Sequence, residues 1–454
     1  MKFTISIDES SRSANGLARV IVQSESIAGD YELDISFEKF YPALGAPDEQ
    51  SLNLLFVSSV CYVIDKITAR KNKTDGWTRD LEVEIPVSQI TLWKKTSRIF
   101  NEMLGFLTGD NWNVKFIKRT ETLFKVPPEK RRSTKKPLNL DGFTGAGTFS
   151  GGADSLIGAI DLLTGNPKEK LLLVGHHDES GPMSAQRRLY SAISEEYPAR
   201  TELLQVRVGH KPSSANERSS RSRSFLFISI AVYAARAIGK DVPVHIPENG
   251  FIALNMPLTP SRSSACSTRT MHPYFLGKVR ELLTELNIHN PLINRLGSQT
   301  KGECVANCEN LKLLSGVINE SVSCSSPTRQ QRWKRRGDKI RNCGHCVPCI
   351  IRRSSLHKAG LDDGKSYGFD ICDGELKIDD DLISANDLRA IVSIIRQNLK
   401  VEDYARILLG AAPLDELDEK TGLISRGIDE IKVLFREKGE KALLDAAKIT
   451  PVKK

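Results

Sequence analysis

The sequence predicts an α/β protein, with a parallel sheet in the middle of the chain, an α+β domain before it and a helical region after it. Three observations lead there. Between residues 138 and 359, short apolar runs alternate with stretches of helical length, the pattern of a parallel sheet covered on both faces. Before residue 124, apolar residues recur at every second position around two helix-length segments. After residue 360, the apolar positions follow helical spacing.

In chain order, residues 1–124 carry four runs of period two: Phe3, Ile5 and Ile7; Tyr31, Leu33, Ile35 and Phe37; Leu81, Val83 and Ile85; Trp112, Val114 and Phe116. Each marks a strand with one apolar face. Leu52–Ile67 and Trp93–Leu107 read as helices, and no catalytic string occurs here. Residues 125–137 (KVPPEKRRSTKKP) have the Pro, Lys and Arg content of an exposed linker. In residues 138–359, a weakly apolar strand over Gly145–Phe149 leads into a glycine turn and a helix over Leu156–Leu163. Strands follow at Leu171–Val174, Leu203–Val208 and Val242–Ile246, with helices at Ala185–Tyr197 and Phe225–Ile238. In residues 360–454, Ser384–Asp387 has the form of a capping box ahead of Leu388, Ile391, Ile394 and Ile395.

Ligands of open α/β sheets sit beyond the C-terminal ends of the strands. The string Ser150-Gly151-Gly152-Ala153-Asp154-Ser155 falls at such an end, as do His176-His177 and the residues after Ile246. Adjacent glycines let backbone approach a ligand closely, and a helix N-terminus attracts phosphate. Asp154 is placed to hold magnesium or to orient a phosphate partner. The string is not a Walker A loop, and Gly360–Ser366 (GLDDGKS) has one residue too few between its glycines for that motif. His176, His177 and His272 are candidates for a general base, with a hydrogen-bonded bystander as the alternative for each.

Cys343, Cys346 and Cys349 have two residues between each successive pair, and eighteen residues lie between Cys324 and Cys343. Four thiolates suit a closed tetrahedral zinc site. Cys304 and Cys308 compete with Cys324 for the fourth position and rank below it. The basic string 329–341 (RQQRWKRRGDKIR) reads either as an RNA-binding loop or as a solvated excursion.

The net charge of +9 over 454 residues suits ATP or a protein surface as well as RNA. No apolar run is long enough to span a bilayer. The N-terminus lacks the apolar core of a signal peptide, and nine cysteines without one point to a cytoplasmic protein using metal or thiol chemistry.

The SGGADS string is similar to the PP-loop of the ATP pyrophosphatase (adenine nucleotide alpha hydrolase-like) superfamily. Its members cleave ATP between the α and β phosphates and leave AMP on a substrate oxygen. Together with Cys324, Cys343, Cys346 and Cys349, followed by Arg352 and Arg353, it resembles the 7-cyano-7-deazaguanine synthase (QueC) family. Arg223-Ser224 resembles that family's Arg-Asn before its apolar helix, and Lys301-Gly302-Glu303 its Lys-x-Glu. The resemblance covers about half the chain, and Pro247-Glu248-Asn249-Gly250 and Ser264–Pro273 depart from the family's substrate loop. The flanking regions make the layout more similar to the synthase-like (QatC-type) subunits of Qat anti-phage systems.

The resemblance implies that ATP adenylates a carboxylate, 7-carboxy-7-deazaguanine, which an amine then attacks, in anti-phage defence. It implies catalytic roles for Asp154, Ser155 and Lys301. Ser150, Gly151, Gly152, Asp154, Ser155 and Arg223 would hold ATP with Mg2+, and the four cysteines would hold Zn2+. The extra N-terminal domain suggests that the amine belongs to a partner protein rather than being ammonia. A tRNA-modifying enzyme and a nucleotide-binding scaffold are the alternatives, and nucleic acid is the less favoured partner.

Overall fold

The structure is a computed structural model and describes residues 1–13, 16–36, 44–45, 48–70, 77–126, 138–178, 180–213, 217, 219–255, 269–325, 327–375, 385–408 and 414–451. Most of the basic linker, Phe37, residues 264–268 and Ser384 lie outside them.

Residues 1–124 supply β1 (Lys2–Arg12), β2 (Ala18–Ser24), β3 (Ile27–Ile35), α1 (Glu49–Ile67), β4 (Asp80–Val87), α2 (Ile90–Thr108) and β5 (Asn111–Lys118). Then come β6 (Gly145–Thr148), α3 (Ala153–Gly165), β7 (Leu171–His177), α4 (Ser180–Glu196), β8 (Thr201–Lys211), α5 (Arg223–Ile238) and β9 (Val244–His245). The one-turn α6 (Gly250–Ala253), α7 (Pro273–Glu285), β10 (Leu292–Ile293), α8 (Lys301–Ala306), α9 (Leu311–Val317) and α10 (Val347–Lys358) complete this part. The C-terminal region is helical: α11 (Asn386–Gln397), α12 (Val401–Leu408), α13 (Leu417–Lys438) and α14 (Lys441–Ala447).

The ten strands form one mostly parallel sheet in the order β10-β9-β6-β7-β8-β3-β2-β1-β4-β5. From β10 to β8 all neighbours are parallel. β3 then pairs antiparallel with β8, Glu32 opposite Lys211 and Ile35 opposite Val208, and joins the N-terminal strands to the central ones. Burial follows coverage. Every residue of β7 is buried, because helices lie on both faces, whereas β5 alternates exposed and buried positions, one face being open to water. α1 is buried nearly all round because it packs on α5 as well as on strands.

Local differences from the sequence reading have physical causes. β2 was not anticipated, although Val20 and Val22 alternate and are buried. β7 runs through His176 and His177, which therefore lie within the strand rather than in the loop after it. The fourth predicted central strand shrinks to the two residues of β9. The capping-box string Ser384–Asp387 falls partly outside the described residues; α11 starts after Ala385, and the Asp387 carboxylate accepts from the Val347 amide at 3.0 Å.

A fully buried ionic cluster fastens the N-terminal region to α5. Asp110 accepts both Arg70 terminal nitrogens at 2.7 Å, and Arg79 bridges Asp110 and Asp65 at 2.5 and 2.6 Å. The second Asp65 oxygen accepts the backbone N–H and hydroxyl of Ser222, at the start of α5, at 3.0 and 2.8 Å. Burial raises the Asp65 pKa, but Arg79 outweighs it and holds this carboxyl below its usual value. Among the described residues, no helix is long and apolar enough to cross a membrane.

Candidate functional site

The small residues of β6 answer to its neighbours. All four are buried, and a Cβ on Gly145 would lie 2.9 Å from the His245 ring. The chain then turns through Gly151, whose φ of +85° favours glycine and whose missing Cβ would meet Ala185 at 3.2 Å. Gly152 is the N-cap of α3, with no side-chain cap. The dipole and the N–H groups of the first turn of this 13-residue helix therefore face the loop uncapped. Ser150 Oγ accepts from the Gly152 N–H at 3.3 Å and lies 3.3 Å from Ser155 Oγ, which itself donates to the Gly152 carbonyl at 3.0 Å.

Asp154 is buried at the start of α3, and one of its oxygens accepts from Lys301 Nζ at 2.7 Å and from Asn249 Nδ2 at 3.0 Å. The other oxygen is buried without a donor. Against it stands the half-buried Glu248, just past β9, whose pKa is pushed far above the usual glutamate range by burial and by the Asp154 charge, with Lys301 opposing. Two ionised carboxylates have no proton between them. A proton on Glu248 or a cation between the two resolves the contact. The donor set of hard oxygens fits a magnesium ion, with Asp154 and Glu248 as the residues that would hold it. Glu248 is thus a candidate site residue that no sequence motif marks. Its signal was an acidic residue immediately after a buried strand at the ligand-bearing edge.

Of the other predicted residues, Arg223 is turned onto His176. Its Nε donates to His176 Nδ1 at 3.1 Å and its Nη2 to the His176 carbonyl at 3.0 Å. Burial, with Arg223 beside it, lowers the His176 pKa to about 3, so the ring is neutral at physiological pH. His272 caps α7 by accepting from the Tyr274 amide at 3.2 Å, and burial lowers it to about 4. His177 is buried within β7. At the same strand end, Asp178 accepts from the Tyr62 hydroxyl at 2.6 Å and lies 4.0 Å from Lys66, both from α1. Arg352 and Arg353 are buried and engaged: Arg352 donates to Ser321 Oγ and the Ile318 carbonyl, Arg353 to Asp362 and Asp370.

The sulfurs of Cys324, Cys343, Cys346 and Cys349 all lie within 4.8 Å of one another. Those of Cys343 and Cys349 are 3.8 Å apart, and the Cys346 amide donates to Cys343 Sγ at 3.3 Å. A tetrahedral ion with bonds of about 2.3 Å to sulfur needs an edge of about 3.8 Å, so the group can hold a metal such as zinc. The excursion between Cys324 and Cys343 folds back onto it. Trp333 is buried among the cysteines, Arg341 donates to Glu320 at 2.6 Å, and Arg335 pairs with Asp373 and Glu375. Two residues before Cys324, the Val322 amide donates to the Gly151 carbonyl at 2.9 Å, which ties the cysteine group to the glycine turn. A cavity of about 700 Å³ lies behind this site, between α6, α7 and the start of α13. Its wall includes Asn294, which clamps the Glu248 backbone at 2.8 and 3.3 Å, but Asp154, Glu248 and Lys301 do not line it.

No protein-family model matches the chain, and neither the curated proteins nor the solved structures yield a match.

Proposed function

We propose that the chain is an ATP-dependent C–N ligase that adenylates a carboxylate, 7-carboxy-7-deazaguanine, and passes the acyl group to an amine in anti-phage defence. The observation that carries this reading is the orphaned oxygen of Asp154, set between Glu248, Lys301 and the uncapped start of α3. A carboxylate oxygen of the acid attacks the α-phosphorus, the bridging P–O bond breaks, and pyrophosphate leaves. The amine nitrogen then attacks the carbonyl carbon, sheds a proton, and AMP departs with the oxygen of the acid. The first-turn N–H groups of α3, with Ser150 and Ser155, hold the leaving pyrophosphate. Lys301 has three N–H donors, so it can keep Asp154 and also reach a phosphate oxygen. Asp154 and Glu248 would hold a magnesium ion, which when bound would supply positive charge for the departing pyrophosphate. His176 and His272, neutral and hydrogen-bonded, act as structural groups, so the proton of the amine passes to solvent or to the departing AMP. Tyr62 and Lys66 bring the N-terminal region to the strand edge at Asp178, which supports a role for that region beside the entering amine of a partner protein.

The test supplies ATP, magnesium and the acid with both carboxylate oxygens labelled with 18O. With ammonia or a partner protein present, one label should appear in AMP and pyrophosphate should be released. Release of ADP, or AMP without label, would overturn the reading.

A further inference from the structure

The two donors to Asp154 come from helices that are set by a third. Asn249 is the N-cap of α6, and Lys301 is the first residue of α8. Both helices rest on α13 of the C-terminal region, more than a hundred residues away in sequence. Gly427 of α13 lies so close to Phe251 of α6 that a Cβ would fall 2.5 Å from the ring. Glu430, buried on the same helix, accepts from the Thr300 hydroxyl, from the Gly302 amide at 3.2 Å and from Lys358 Nζ at 2.9 Å. Its carboxylate thus brackets Lys301, whose two neighbours it holds. Gly302 is required for the approach, since a Cβ there would lie 2.5 Å from the Glu430 carboxylate. Arg426 secures the same turn by donating to Glu303 at 2.7 Å and to the Ser298 carbonyl at 3.2 Å.

We infer that Glu430 is a positioning residue: it fixes the first turn of α8 so that Lys301 is delivered to Asp154, which makes the C-terminal helical region part of the working site. The carboxylate suits this task. It accepts from a hydroxyl, an amide and an ammonium at once, and Lys358 balances its charge in the buried setting. Glutamine in its place keeps the shape but turns an NH2 group toward one of these three donors. The catalytic consequence rests on the adenylation reading, whereas the positioning itself does not.

The experiment is timed reductive methylation of the full-length protein, read by peptide mass spectrometry, on wild type, Glu430→Gln and Gly302→Ala. Gly302→Ala displaces the same carboxylate from the opposite side. Lys301, buried and ion-paired, should be protected in the wild type and should label at least tenfold faster in both variants. Lys66, bonded to Ser220 at 3.2 Å in another part of the molecule, should keep its rate and serve as the folding control. Unchanged protection of Lys301 in both folded variants would overturn the inference. Faster labelling together with a wild type that never releases pyrophosphate would uphold the positioning and remove the adenylation reading.

Discussion

Two of the buried sets of charges differ in closure. Arg70, Arg79, Asp65 and Asp110 balance two positive with two negative charges, and both oxygens of each aspartate accept hydrogen bonds. Asp154, Glu248 and Lys301 put two carboxyls against one ammonium, and one Asp154 oxygen accepts from no N–H or hydroxyl and meets a second carboxyl instead. Leaving a buried polar atom unpaired costs roughly 1–3 kcal/mol, more when it is charged, so a structural cluster is expected to close and a ligand site to stay open. The first cluster joins α1, α2 and the start of α5. The second sits where an uncapped helix begins. The contrast marks the second cluster as the candidate site without reference to any relative.

The four thiols are another buried set, one that a metal such as zinc could close. Stripping that metal with a chelator should have the largest effect, because such ions contribute on the order of 10 kcal/mol to local folding. The Val322–Gly151 bond should carry the damage to the loop, so calorimetry should find the affinity for a non-hydrolysable ATP analogue at least tenfold weaker. Unchanged affinity in metal-free protein would break the link.

Asp110→Asn comes next. It leaves Arg70 and Arg79 with Asp65 as their sole carboxylate partner, and breaking a buried pair costs about 3–5 kcal/mol, readable in urea denaturation. Turnover per folded molecule should be unaffected.

Asp154→Asn should invert that outcome. Pyrophosphate release should fall at least ~100-fold, while stability changes by less than ~1 kcal/mol or rises, because Glu248 is freed to ionise and partner Lys301. A large loss of stability here would erase the distinction between the two clusters.

The smallest effect is one of pH. The Glu248 pKa is raised in the folded state, so the fold binds this proton more tightly than the unfolded chain does. Its contribution is complete below the unfolded value near 4.5 and is lost as pH rises through the folded value. The stability of Glu248→Gln relative to wild type, measured without divalent cations, should therefore improve steadily from pH 5 to 8, and manganese should narrow the gap by stabilising the wild type. Asp65 has the opposite sign. Its lowered pKa contributes above the unfolded value near 3.8 and is lost on acidification.

How much of this was legible depends on sequence distance. Strands with one open face, such as β1 and β5, showed their period of two, and the cysteine spacing showed the group that could hold a metal, including Cys324 over Cys304 and Cys308. Asp154 and Lys301, 147 residues apart, were singled out by resemblance, but nothing local says that they touch. Glu248 and Glu430 were passed over because a lone glutamate carries no pattern. Their meaning lies in what packs against them. Arg223 was singled out by resemblance, and nothing local says that His176 points inward from β7 to meet it. β2 was missed because Ile21 interrupts the alternation of Val20 and Val22 in a short strand between two longer ones.

The antiparallel seam between β3 and β8 has a practical consequence. A fragment cut to begin after residue 124 would strip eleven-residue β8 of the neighbour that pairs with Lys211 through Val208. That bared margin is a template for strands of other molecules. Shortened versions of the chain should clump, and any search for what the N-terminal third does is better run by point substitution than by deletion.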